Sequence, residues 1–145
     1  MTSPHVSEEM DFVIAFRDAW RKIQRLSEKN LATIGLSVTE LRILKLLSLH
    51  GPSPMARFAS EFYMTPASVT GVVDRLEGDG LVERERVSAD RRVIHVHITQ
   101  RGRERLEAGL KLNKRFAERV LGSLSKEQQK ELIELLDKLA RAAEA

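Results

Sequence analysis

The sequence predicts a mainly α-helical fold that carries one small β-hairpin. Apolar residues recur at helical spacing over most of the 145 residues, whereas between Leu81 and Ile98 the period drops to two. Stop and cap signals at Gly35, Ser37, Gly51-Pro52, Thr65-Pro66 and Gly80 cut the helical stretches into separate elements.

Residues 8 to 34 place Phe12, Phe16, Trp20, Ile23, Leu26, Leu31 and Ile34 on one stripe, a long first helix ended by Gly35. Ser37-Val38-Thr39-Glu40 reads as a capping box opening a second helix, with Leu41, Leu44, Leu47 and Leu49 inward and a stop at His50-Gly51-Pro52. Ser53 is the expected cap of a third helix, Pro54 its first residue, and Met55, Phe58, Ala59 and Phe62 its inner face. Thr65 and Pro66 start a fourth, whose buried stripe is Val69, Val72, Val73 and Leu76. Strands are expected over Leu81 to Val87 and Val93 to Ile98, with Ser88 to Arg91 as the turn. Thr99 caps a fifth helix marked by Leu106, Leu110, Phe116 and Val120. A second capping box at Ser125-Lys126-Glu127-Gln128 opens a sixth, with Leu132, Leu135, Leu136 and Leu139 on one face.

Two short helices followed by a hairpin make a winged helix-turn-helix, expected over 37–99, within a single domain of 1–145. The flanking segments 8–36 and 100–145 carry more apolar surface than so small a core can cover. They are therefore expected to pack on a second copy as dimerisation helices.

Composition removes other classes. There is no cysteine, hence no disulfide, thiolate nucleophile or Cys-based zinc site. No apolar run approaches the roughly 20 residues that span a bilayer, and the N-terminus lacks the order of a secretion signal, so a cytoplasmic protein is expected. No nucleophile-base arrangement or glycine-rich phosphate loop suggests an enzyme, and no cofactor is expected. Net charge is only +3, but residues 84 to 105 hold seven arginines and no lysine. Guanidinium forks suit phosphates and groove edges.

The stretch from Gly51 to Thr99 resembles the core of the MarR family of bacterial and archaeal regulators. The most specific parts are Ser68-x-Thr70-x-x-Val73-Asp74-Arg75-Leu76-Glu77, the turn Gly80-Leu81-Val82, and Asp90-x-Arg92 followed by Ile98-Thr99. The family usually has Leu at Ile98 and a Leu-Ala pair at Phe58-Ala59, substitutions that keep apolar bulk. The resemblance implies a homodimer that binds pseudo-palindromic double-stranded DNA, in many members as a repressor, and that often responds to small aromatic or phenolic compounds. It also implies that Arg92 enters the minor groove with Asp90 as its brace.

Physical chemistry supports the same surface. Opposite the buried stripe of the fourth helix lie Pro66, Ala67, Thr70, Gly71 and Asp74, with Ser68 at the margin, small enough to approach base edges and thymine methyls. The same pattern also fits the ordinary surface of an amphipathic helix. Arg75 either reaches a phosphate or pairs with Asp79 four residues on. Arg91 and Arg92 suit a minor groove; otherwise Asp90 and Arg92 form a surface ion pair of little energy. Arg84 and Arg86 either touch phosphates or pair across the hairpin.

Arg17, Trp20 and Arg21 are candidates for an effector cleft, with packing as the plainer role for Trp20. His95 and His97 share a strand face, but the sequence shows no acidic partner beside them, and no metal site is assigned. The alternatives are a metal-responsive regulator of the same fold and a winged-helix module for protein contact.

Overall fold

Six helices and three short strands run in the expected order, with one strand added. In the computed structural model, which describes residues 8–87 and 93–145, the elements are α1 (Glu8–Ala32), α2 (Val38–His50), β1 (Ser53–Pro54), α3 (Met55–Glu61), α4 (Pro66–Gly78), β2 (Val82–Arg86), β3 (Ile94–Ile98), α5 (Gln100–Leu121) and α6 (Lys126–Glu144). The chain divides into two compact units, one ending at Leu112 and the other beginning at Asn113.

The caps act where local sequence places them. Gly35, at φ 70°, closes α1, with the Leu36 amide donating to the Leu31 carbonyl at 3.1 Å. The Ser37 hydroxyl accepts from the Glu40 amide at 3.0 Å, and in the second unit Ser125 and Gln128 form a reciprocal capping box at the start of α6. Along α2, Leu41, Ile43, Leu44, Leu46 and Leu47 are buried, but Leu49, expected inside, is 69% exposed. At roughly 100° per residue it lies about 200° around the helix from Leu47.

The added strand corrects the expected start of α3. Ser53 does not cap that helix; it pairs with Val96 of β3, fully buried, and its hydroxyl donates to the Gly51 carbonyl at 3.0 Å. Pro54 takes the N-cap position without a side-chain cap. The ladder outcompetes the cap because an extended Ser53 gains a backbone partner that a cap residue would lack. The result is a three-stranded antiparallel sheet in the order β1-β3-β2, with Pro54 on an edge strand, where its missing N–H costs nothing.

The core of the first unit joins Leu31, Leu36, the inner face of α2, Phe58, the α4 stripe, Leu81, Val82, Val96 and Leu106. α4 ends in a Schellman motif. Gly80, at φ 73°, donates to the Glu77 carbonyl at 3.0 Å and Leu81 to that of Leu76 at 2.9 Å, with both leucines fully buried. Thr99 then ties α5 to this turn, its hydroxyl donating to the Gly80 carbonyl at 2.7 Å and accepting from the Gly102 amide at 3.0 Å.

This junction leaves no room at Gly102, where a Cβ would lie 2.1 Å from the Leu81 carbonyl oxygen and 2.8 Å from Ile98 Cγ1. Gly102→Ala is therefore expected to destabilise the protein by about 2–3 kcal/mol in urea denaturation, the upper range for overpacking. An unchanged midpoint would contradict the packing described.

Candidate nucleic-acid interface

α4 starts at Thr65, whose hydroxyl accepts from the Ser68 amide at 3.1 Å and donates to the Ser68 hydroxyl at 2.8 Å. Burial of Val69, Val72, Val73 and Leu76 then fixes the rotation of the helix. It turns Pro66, Ala67, Ser68, Thr70, Asp74 and Arg75 to solvent, with Gly71 half-buried among them. The Thr70 hydroxyl donates to the Pro66 carbonyl at 3.0 Å, which holds its rotamer and leaves its oxygen able to accept. The six residues expected to face bases thus share one side of one helix.

The same side carries two acids, and the structure shows what answers them. Arg84 of β2 places one guanidinium nitrogen 2.6 Å from Asp74 Oδ1 and the other 2.9 Å from Glu77 Oε1, while its backbone amide donates to Glu77 Oε2 at 3.2 Å. Partial burial works against the guanidinium charge, but the Asp74 hydrogen bond and both carboxylates outweigh it and raise its pKa. Arg84 therefore pairs neither across the hairpin nor with an open surface. It joins the wing strand to α4. Sequence reasoning missed this because a strand reversal brings Arg84 back to acids seven and ten residues earlier, a distance no helical spacing encodes.

Arg75, expected to pair with Asp79 or reach a phosphate, has Nε 3.8 Å from Glu40 Oε1 of α2. The Glu40 side chain is only 8% exposed. Burial raises its carboxyl pKa, with the Ser37 hydroxyl and Arg75 opposing, so this glutamate belongs to the support of α4, a role its capping-box position alone did not reveal. Arg86 is exposed, opposite Ile94 in the β2–β3 ladder.

His95 and His97 do have acidic neighbours, contrary to expectation. Glu85 stands opposite His95, Glu83 opposite His97, and His97 Nε2 lies 2.6 Å from Glu85 Oε2 in an approach that is not hydrogen-bonded. Among the described residues no group of three or more such side chains is arranged to hold a metal ion. Asp90, Arg91 and Arg92 lie outside the described residues. Arg17, Trp20 and Arg21 are exposed on α1, Trp20 by 53%, so packing within the protomer does not explain the tryptophan.

A groove of about 240 Å³ lies between α3 and α4, lined by Met55, Ala56, Ala59, Pro66, Val69 and Thr70. It adjoins the exposed face of α4 through Pro66 and Thr70. Among the described residues no helix is long and apolar enough to cross a membrane.

Residues 36–94 match the model of the MarR family. The HTH-type transcriptional repressor MdtR of Bacillus subtilis is 30% identical over 134 residues, 92% of this chain and 86% of that protein. The crystal structure of Sco5413, a MarR family transcriptional regulator from Streptomyces coelicolor, has a TM-score of 0.84 at 26% identity, covering 95% of this chain and 96% of that one. The organohalide-sensing transcriptional regulator RdhR-CbdbA1625, solved with 2,4-dichlorophenol bound, shares the fold at a TM-score of 0.86 and 21% identity, covering 98% and 86% of the two chains.

The raised pKa of Glu40 has a definite sign in stability. The folded state favours its protonated form, so this contribution is fully present below the unfolded carboxyl pKa and is lost as pH rises through the folded one. Glu40→Gln should therefore gain Tm relative to the parent between pH 4 and pH 7. A relative loss over that interval would mean that Arg75 and Ser37 dominate instead.

Proposed function

Because this chain belongs to the MarR family, we propose that it is a transcriptional repressor that binds pseudo-palindromic operator DNA as a homodimer and is released by a small aromatic effector. The observation that carries the reading is the outer face of α4. Pro66, Ala67, Ser68, Thr70 and Gly71 put small and hydroxyl groups where a major groove demands close approach, and Arg84 neutralises the two acids that would otherwise repel phosphate. Arg75 and Arg86 serve the DNA backbone, Arg92 enters the minor groove with Asp90 as its brace, and Arg91 supports it.

The dimer is supported by unburied apolar surface. On α1, Phe12, Phe16, Trp20 and Leu26 are 44–53% exposed, and on α6 Leu135, Leu136 and Leu139 are 40–51% exposed. A second copy is the occupant such helices need. An effector acts through its differential affinity for the free and DNA-bound forms. The α3–α4 groove suits a compact apolar ring, because filling it would bear directly on the recognition helix. Arg17, Trp20 and Arg21 form the alternative effector surface on α1. The relative solved with 2,4-dichlorophenol supports an aromatic compound as the first to test.

Selection of bound sequences from random duplex DNA tests the whole reading. It should return an inverted repeat with half-sites about one helical turn apart, and recovery of no common sequence would overturn it. Gly71→Ala separates fold from function, since a Cβ there meets nothing within 4 Å. Stability should rise by about 0.5–1 kcal/mol from helix propensity, while the added methyl should lower operator affinity at least roughly five-fold by crowding base edges. Equal affinity would place this face away from the bases. Arg92→Ala should cost about 1–3 kcal/mol of operator binding at fixed salt, and no loss would remove it from the interface.

A further inference from the structure

The outer side of α2 carries a second surface that DNA reading and dimerisation leave unused. Arg42, Lys45, Leu46 and Leu49 follow one another at i, i+3, i+4 and i+7 and, with His50 and Phe62, line an open groove of about 230 Å³. Leu49 is 69% exposed at its edge, and the next residue after Phe62, Tyr63, is 94% exposed. None of these residues belongs to α4, the wing strands or the terminal helices.

Charge decides the occupant. The Arg42 guanidinium sits 4.4 Å from the centroid of the Phe62 ring, held in place by a cation–π contact. Among the described residues, neither Arg42 nor Lys45 has a carboxylate in salt-bridge range, although other exposed cations of the chain, such as Lys22 and Lys111, do. The groove thus has an apolar floor and an unanswered cationic rim. Tyr63 adds strain at this spot, because it holds φ 51° at the close of α3, where the Met64 amide donates to the Ala59 carbonyl at 3.0 Å. Glycine takes that conformation without cost, and a tyrosine kept there points to a use for its side chain.

We propose that this groove docks an acidic, amphipathic helical segment of a protein partner. Leucine or aromatic anchors at helical spacing enter between Leu46, Leu49 and Phe62, and flanking carboxylates meet Arg42 and Lys45. The surface would let the regulator recruit or be held by another protein while α4 stays free for DNA.

The test is selection of displayed random peptides of about 16 residues on the purified full-length protein, followed by NMR mapping of the winners. Enriched sequences should be acidic with apolar residues at i, i+3, i+4 and i+7, and should shift the amides of Arg42, Lys45, Leu46, Leu49 and Phe62. Leu49→Ser and Lys45→Glu, both at exposed positions, should each lower peptide affinity at least ten-fold with unchanged thermal melting. Basic or unpatterned winners, shifts confined to other surfaces, or undiminished binding by these variants would overturn the proposal. It would equally fall if Leu49→Ser reduced the sedimentation mass, which would assign the groove to a second copy. Loss of operator binding by Lys45→Glu without loss of peptide binding would assign it to DNA.

Discussion

Burial of Val69, Val72, Val73 and Leu76 is the constraint on which the interface depends. All four lie within eight residues of α4 and are at most 6% exposed. Burying each is worth roughly 1.5–3 kcal/mol relative to exposure, before the entropy of ordering is counted. Turning the helix by one residue would move this stripe toward water, so no other rotation competes. The outward side of Pro66, Ala67, Thr70, Gly71 and Asp74 is thus a by-product of packing, presented before any partner arrives. The Schellman turn at Gly80 extends the same fixation, because Leu81 is buried with Leu76 and hands the chain directly to β2.

A rigid face is not yet a surface for a polyanion. Asp74 and Glu77 put two carboxylates on the exposed side of α4, and near phosphates they would be repulsive. Arg84 reaches both, at 2.6 and 2.9 Å, from a strand that leads to the wing. Exposed ion pairs contribute little to stability singly, but here one guanidinium serves two acids and is itself only 22% exposed. Its larger consequence is functional. Recognition helix and wing strand are joined by the group that removes the charge opposing their shared partner.

What the sequence made legible was local. Caps at Ser37, Thr65, Thr99 and Ser125 bond to residues three positions away, and the stripe of α4 repeats within two turns, so each could be read in a short window. Residues whose partners lie far along the chain could not. Ser53 looked like a helix cap until its pairing with Val96 made it a strand residue, and Arg84 looked like a phosphate contact until the hairpin folded it onto α4. Leu49 illustrates a different gap, since apolarity marks a residue as able to be buried but does not supply a neighbour to bury it. The acids opposite His95 and His97 were equally hidden, because register between strands is set by the hairpin and not by spacing.

The most direct test of this account is a set of operator affinities for Arg84→Ala, for Asp74→Asn with Glu77→Gln, and for all three changes together, at one salt concentration. If Arg84 acts by neutralising the acids of α4, its loss weakens binding in the parent and has little further effect once both acids are amides. If the loss is the same in both backgrounds, Arg84 touches DNA directly and the account of the interface is wrong.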